Sequence, residues 1–251
     1  MLLEVERLSV KLGDSLILED VSFSAGEGEL VGVLGPNGSG KSTLLRACCG
    51  LIRPVKGRVS LEGRSVHSIS PRERARAISY LPQGEEPLQG FTAMDYALSG
   101  RAMWAGALGP TSCGDLEAAR RSLERVGVEG LAGREVASLS GGEFSMVRLA
   151  RSMASDARVL LLDEPASHLD VRYALRAMEV LRELSSEGKL VLAVLHDLNL
   201  ALRFCSRVLL LLEGKLALDG PPSALKPELV EKAFGVRPSE VYLEGRRLLV
   251  F

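Results

Sequence analysis

Three groups of residues in this sequence have the types and spacing for phosphate chemistry. Gly35-Pro36-Asn37-Gly38-Ser39-Gly40-Lys41-Ser42-Thr43 fits G-x-x-x-x-G-K-[ST]. Its glycines let the backbone curl so that successive N–H groups point inward at phosphate oxygens. The helix expected from about Lys41 aims its positive end at the same place. Lys41 supplies a point charge for the outer phosphates, and the Ser42 hydroxyl can ligate Mg²⁺. The second group is Asp163-Glu164, closing the apolar run Val159-Leu160-Leu161-Leu162. Two acids at the end of a buried strand cost desolvation energy unless something positive faces them. Asp163 is placed for the Mg²⁺ shell and Glu164 for taking a proton from an attacking water.

The third group is Leu139-Ser140-Gly141-Gly142-Glu143. Ser140 and Glu143 read as a capping box for a helix through Val147, Leu149 and Ala150. That accounts for the serine and the glutamate but not for Gly141 and Gly142, which are unfavourable in a first helical turn unless a ligand must come close. A serine and two bare amides at a helix N-terminus make a second anion site. These residues describe a nucleotide hydrolase or kinase.

The positioning elements follow from hydrophobic period. Leu3–Val10 and Leu16–Phe23 alternate as half-buried strands around the turn Gly13-Asp14. Leu30–Leu34 is a continuous apolar run, as for a strand buried on both faces, and it leads into the glycine loop. The helix through Leu44, Leu45 and Ala47 stops at Gly50, Gly57–Leu61 is a short strand, and Ser70-Pro71-Arg72-Glu73 starts another helix. From about Gly84 to Asp156 only helical segments are expected, split at points such as Gly109-Pro110. One of them, Asp115–Val126, places Leu116, Ala119, Leu123 and Val126 on one face. Beyond it, Val159–Leu162, Leu190–Leu195 and Val208–Leu212 are apolar runs, with a helix over 171–185 between the first two. That is the pattern of a parallel sheet with helical crossovers. The tail from Pro227 ends in a hairpin, Val241–Leu243 with Arg247–Phe251.

Composition sets outer bounds. The 251 residues are 46% hydrophobic and 25% charged, with 31 Lys+Arg against 32 Asp+Glu. A near-neutral balance argues against nucleic acid as the main partner. The apolar content excludes disorder, and no apolar run approaches the ~20 residues of a membrane span. Met1–Glu6 has no signal-peptide pattern, so a cytosolic protein is expected. Cys48, Cys49, Cys113 and Cys205 show no metal or redox spacing and are expected to be idle thiols.

With these motifs in this order, the sequence resembles the ATP-binding cassette ATPases over about residues 1–220. Further motifs carry the resemblance: Gln83 in Leu81-Pro82-Gln83, the turn Ser167-His168-Leu169-Asp170, and Leu195-His196-Asp197 after a strand. It implies an α/β fold: a phosphate-loop (P-loop) NTPase, RecA-like core with an N-terminal antiparallel β subdomain and an inserted helical subdomain. The expected organisation is one domain over 1–251, with residues 1–83 and 157–220 as the nucleotide-binding core, 84–156 helical and 221–251 the tail. The implied cofactors are ATP and Mg²⁺. Two copies would pair head to tail, so that Ser140, Gly141 and Gly142 of one face the phosphate loop of the other. By the same resemblance Gln83 reaches Mg²⁺ and water, His196 steadies the γ-phosphate, and Asp170 lies at the dimer contact. The expected sets are therefore Glu164, His196, Gln83 and Lys41 for catalysis. Gly35 to Thr43 with Ser140–Gly142 hold nucleotide, and Ser42, Gln83 and Asp163 hold metal.

The segments Phe91–Arg101, Ser167–Asp170 and His196–Ala201 and the tail around Phe234-Gly235-Val236 resemble those of the cassettes of iron-siderophore, haem and cobalamin importers. That implies membrane permease subunits, an indirect substrate-binding protein, and a place on the inner membrane face. The alternatives are the cassette of another metal or small-solute transporter, a soluble cassette acting on DNA or ribosomes, which usually carries a long coiled-coil insertion or a second cassette, and a phosphate-loop kinase. Two features depart from the family. Leu12 stands where an aromatic often stacks on adenine, and Phe144-Ser145-Met146 replaces the usual polar or basic residues. Outside the motifs, Met94, Tyr96 and Trp104 are expected as core, Arg72, Arg74, Arg76, Arg120 and Arg121 on solvated helix faces, and His67 and His168 in exposed loops.

Overall fold

The alternating N-terminal segments pair as their period predicts. In a computed structural model of the protein, which describes residues 1–104, 112–167 and 169–251, β1 (Leu3–Leu12) and β2 (Ser15–Ala25) run antiparallel around Gly13-Asp14. β3 (Leu30–Leu34), buried at every residue, leads through the glycine loop into α1 (Lys41–Cys48). β4 (Lys56–Leu61) pairs with β1, and β5 (Arg64–Ser65) completes a four-stranded sheet in the order β2-β1-β4-β5. α2 (Pro71–Ala77) follows, its N-terminus capped by the Ser70 hydroxyl accepting from the Glu73 N–H. Next come β6 (Ile78–Leu81) and three helices, α3 (Ala93–Ser99), α4 (Cys113–Val126) and α5 (Gly141–Ala154). The chain then alternates through β7 (Val159–Asp163), α6 (Val171–Ser186), β8 (Leu190–Val194), α7 (Leu198–Phe204), β9 (Arg207–Leu212) and β10 (Lys215–Gly220). α8 (Pro227–Phe234) and the hairpin β11 (Ser239–Leu243) with β12 (Arg246–Val250) end it.

The second sheet has the order β10-β9-β3-β8-β7-β6, parallel throughout except for the antiparallel edge strand β10. Its side chains alternate between two cores. Leu160, Leu162, Val191 and Ala193 face α5 and α6, whereas Val159, Leu161, Leu190 and Leu192 face α1 and the N-terminal sheet. Register fixes the site. Val33 of β3 and Asp163 of β7 both pair with Val194 of β8, and Leu81 of β6 pairs with Leu162. The carboxyl ends of four strands therefore stop together, and the loops carrying Gly35, Gln83, Glu164 and His196 leave from one edge.

Several expectations need correction. β6 and β10 were not predicted: β6 is only four residues long, and β10 is a half-exposed edge strand with a polar start. Leu116 is 44% exposed, off the buried face of α4. Trp104 is 40% exposed rather than core, with the guanidinium groups of Arg76 and Arg101 over its ring at 4.9 and 5.1 Å, while its indole donates to Ser155 O. Arg74 and Arg76 are half-buried and donate to the carbonyls of Val66 and Met103. His67 is half-buried, with Nε2 sealed and unpartnered. Its burial, with Arg53 and Arg74 near it, pulls its pKa down. Gly109-Pro110 and His168 lie outside the described residues. All four cysteines are free, Cys113 exposed and the others buried. Among the described residues no helix is long and apolar enough to cross a membrane.

Candidate nucleotide site

A cavity of about 870 Å³ opens at the shared strand edge, lined by Asn37, Gly38, Gly40, Lys41, Ser42 and Thr43 on one side and Gln83, Glu164, Ser167 and His196 on the other. The loop that makes its floor depends on glycine. Gly35 has φ 144°, and a Cβ there would sit 2.2 Å from Leu211 O and 2.7 Å from Ser39 Oγ. Gly40, at φ 98°, precedes α1 as an N-cap without a side-chain hydrogen bond. The first amides of α1 are thus left for an incoming acceptor. Ser39 Oγ, beside Gly35, is buried and has no partner.

Lys41 is 6% exposed, and its Nζ donates to Gly35 O and Pro36 O, both at 2.8 Å. Burial lowers its pKa, against the pull of Glu164 and Asp163. Ser42 Oγ donates to Asp163 Oδ1 at 3.1 Å, and Tyr80 OH lies 3.5 Å from Asp163 Oδ2. Asp163 is pushed up by burial and by Glu164, with Ser42 opposing. Tyr80, which also accepts from Arg46 Nε, went unnoticed in the sequence; its signal is its place three residues before Gln83.

Glu164 follows β7 at φ 58°, a left-handed conformation that costs ~1–3 kcal/mol for a residue with a side chain. Glu62, Glu213 and Glu244 also have positive φ, but each is followed by glycine in a two-residue hairpin turn that requires it. At Glu164 no hairpin demands the strain, and the result is a carboxylate aimed into the cavity. Its Oε1 lies 2.6 Å from His196 Nε2. Burial pushes the Glu164 carboxyl up, but His196, Ser167 and Lys41 outweigh it and hold the group below its ordinary value.

These residues fit a Mg²⁺–nucleotide. The buried unpartnered hydroxyl of Ser39, the open amides of α1 and the Lys41 ammonium provide donors for phosphate. No cluster of three His, Cys, Asp or Glu suited to a metal occurs among the described residues. A cation here would share Ser42, Gln83 and Asp163 with phosphate oxygens, as Mg²⁺ does.

Ser140–Gly142 do not join this cavity within one chain. The expected capping box is present: Ser140 Oγ accepts from Glu143 N, and Glu143 Oε2 accepts from Ser140 N at 2.8 Å. Gly142 has a local reason as well, since a Cβ would lie 2.7 Å from the Tyr173 ring, whereas Gly141 faces open space. Asp170 caps α6 through its bond from Tyr173 N. The departure at Phe144-Ser145-Met146 is packing: Phe144 meets Tyr96 edge-on at 5.3 Å, and Met146 is fully buried. Leu12, 44% exposed, lines the cavity with Ile17.

Residues 18–167 match the family model described as ABC transporter. The chain belongs to the ABC transporter family. It is 43% identical over 239 residues to the cobalamin import ATP-binding protein BtuD of Halobacterium salinarum, covering 94% of this chain but 60% of that protein's length. It is 39% identical over 244 residues to the hemin import ATP-binding protein HmuV of Pseudomonas entomophila, covering 94% of this chain and 93% of that one. Among solved structures, a putative metal-chelate type ABC transporter in an inward-facing conformation superposes with a TM-score of 0.86 at 25% identity, over 100% of this chain and 98% of that one. A bacterial ABC transporter cassette solved as a dimer gives 0.78 at 28% identity, over 88% and 98%. The P-loop NTPase core, the antiparallel sheet and the inserted helices of this cassette agree with those neighbours.

Proposed function

We propose that this chain is the ATP-hydrolysing subunit of an importer, working as a pair of copies beneath separate membrane permease subunits. The observation that carries the reading is the Glu164–His196 contact facing Lys41 across one cavity. Lys41, Ser39 and the amides of Gly38 to Thr43 grip the phosphates. Ser42, Gln83 and Asp163 hold Mg²⁺, which when bound neutralises and orients the outer phosphate oxygens. Glu164, kept ionised by its neighbours, accepts a proton from the attacking water. His196 holds that carboxylate and lies within reach of the terminal phosphate. Ser140, Gly141 and Gly142 of a second copy complete the far side; ATP carries about four negative charges, and two helix N-termini with Lys41 offset them. The names of the relatives support a metal chelate such as cobalamin, haem or a ferric siderophore as cargo, delivered by a substrate-binding protein. The cassette then sits on the cytoplasmic face of the membrane.

In the test, purified protein releases phosphate from ATP without any acceptor, and Glu164→Gln lowers turnover by about 10²–10⁴-fold while retaining ATP binding. Unchanged turnover in that variant contradicts the role of Glu164. Co-purification with a many-helix membrane protein tests the importer assignment.

A further inference from the structure

A two-stranded sheet is at best marginally stable alone in water, yet the C-terminal hairpin is fully formed. Its outer strand β11 is exposed at every residue, so its order comes from what β12 touches. Leu249 of β12 is 2% exposed and belongs to the same core as Leu198, Ala201 and Phe204 of α7. Asn199, in the first turn of α7, grips the same residue twice. Its Nδ2 donates to Leu249 O at 3.0 Å, and its Oδ1 accepts from Leu249 N at 2.8 Å. The amide therefore acts as the missing strand partner of β12.

The other attachments of α7 explain why this matters. Seven residues cannot hold a helix in place without packing. Asp197 caps it by accepting from Asn199 N and Leu200 N. On the sheet side Gly32 of β3 leaves room for Cys205, whose Sγ would lie 3.0 Å from a Cβ there. On the outside lies β12, anchored in turn by Arg247 donating to Pro222 O and Leu225 O. His196 is two residues ahead of this helix and its side chain is 41% exposed, so little packing walls in the imidazole. Its aim depends on the backbone that α7 fixes.

We propose that Asn199 is a positioning residue for His196, clasping the C-terminal hairpin to α7 so that the hairpin is a working part of the ATPase site. The inference rests on the reading of His196 and Glu164 given above. It explains why Asn199 makes a matched pair of bonds to one backbone residue 50 positions away.

The test uses the full chain with Asn199→Ala and Asn199→Asp, the latter keeping an acceptor for Leu249 N while losing the donor. A misplacement of even 1 Å can cost ~10²-fold in rate, and a looser tether is expected to lower kcat about tenfold in Asn199→Ala. The KM for Mg–ATP should stay within about twofold, because the main phosphate grip, Lys41 and the amides of Gly38 to Thr43, is on the phosphate loop rather than on α7. Asn199→Asp, which sets a carboxylate oxygen against Leu249 O, should lower kcat at least as far as Asn199→Ala. In NMR spectra the His196 imidazole cross-peak should shift while that of His67 stays put. Tyr242→Ser, on the exposed outer strand, should change neither reading. Wild-type kcat with an unmoved His196 peak in Asn199→Ala overturns the proposal. Equal disturbance of His67 and His196 overturns it too, because that marks general unfolding. His196→Ala at wild-type turnover defeats both this inference and the functional reading; an impaired His196→Ala beside a normal Asn199→Ala defeats this inference alone.

Discussion

Two helices in this molecule have glycine at the N-terminus beside a proposed phosphate-binding motif, and they are built in opposite ways. α1 has no side-chain cap, its lysine is buried, and its loop cannot tolerate a Cβ at Gly35. α5 has a capping box in which Ser140 and Glu143 satisfy each other's amides, leaving those of Gly141 and Gly142 outside the box, and Ser140 is exposed. The first is a cradle left open toward a cavity. The second is a corner closed by its own capping box, exposed at Ser140 and outside that cavity. On the proposed reading these are the two halves of one site, kept apart within a chain and completed between two copies.

The two halves are bridged. Glu85, two residues beyond Gln83, pairs with Arg148 and Arg151 of α5, and Arg148 also donates to Pro82 O. The Gln83 loop and α5 are therefore tied through one carboxylate. Burial pushes the Glu85 carboxyl up, but its bonds to Arg151, Tyr96 and Arg148 outweigh that and hold it below the ordinary range.

Three substitutions probe the contrast beyond the catalytic change at Glu164. Gly35→Ala should be the most damaging to the open cradle. A methyl 2.2 Å from a backbone carbonyl, at a φ that suits glycine, should destabilise by about 2–5 kcal/mol in urea melts. Stability within about 1 kcal/mol of wild type, with ATP binding intact, would mean the loop is softer than its geometry implies. Glu85→Gln attacks the bridge and should destabilise by about 1–3 kcal/mol at pH 7, since the buried Arg148 and the half-buried Arg151 lose their charged acceptor. The sign with pH follows from the depressed folded pKa. The contribution of Glu85 is fully present above the unfolded value of 4.5 and is lost as pH falls through the lower folded value. The gap between wild type and variant should therefore close below pH 4.5; a gap independent of pH would assign the effect to packing. Glu143→Gln touches the closed corner most lightly. It keeps an acceptor for Ser140 N but removes a negative charge beside the place a partner's phosphate would occupy. ATP-dependent pairing should tighten by about 0.3–1 kcal/mol, read from a sedimentation dimer constant. Weaker pairing would show that the carboxylate is needed for the cap rather than tolerated.

The open cradle was legible in the sequence because its glycines, lysine and paired acids have few other reasons to occur at that spacing. The parallel sheet was legible because its strands, buried on both faces, read as unbroken apolar runs. What escaped notice is where local pattern is weak. β10 is a half-exposed edge strand, although the dipeptide Glu213-Gly214 marks its hairpin turn. Trp104 reads as core by type, but two arginines cover it through cation–π contacts, which sequence spacing does not reveal. The closed corner was read only in part: the capping box was plain, whereas the need for Gly142 comes from Tyr173, 31 positions along the chain and invisible without the fold. The Asn199–Leu249 clasp is equally long-range.

The composite site is tested most directly by the solution mass of Glu164→Gln with ATP and Mg²⁺. The account predicts a dimer of twice 26.9 kDa that reverts to monomer when Ser140→Arg is added. A Glu164→Gln protein that binds ATP yet stays monomeric, or a dimer indifferent to Ser140→Arg, would contradict it.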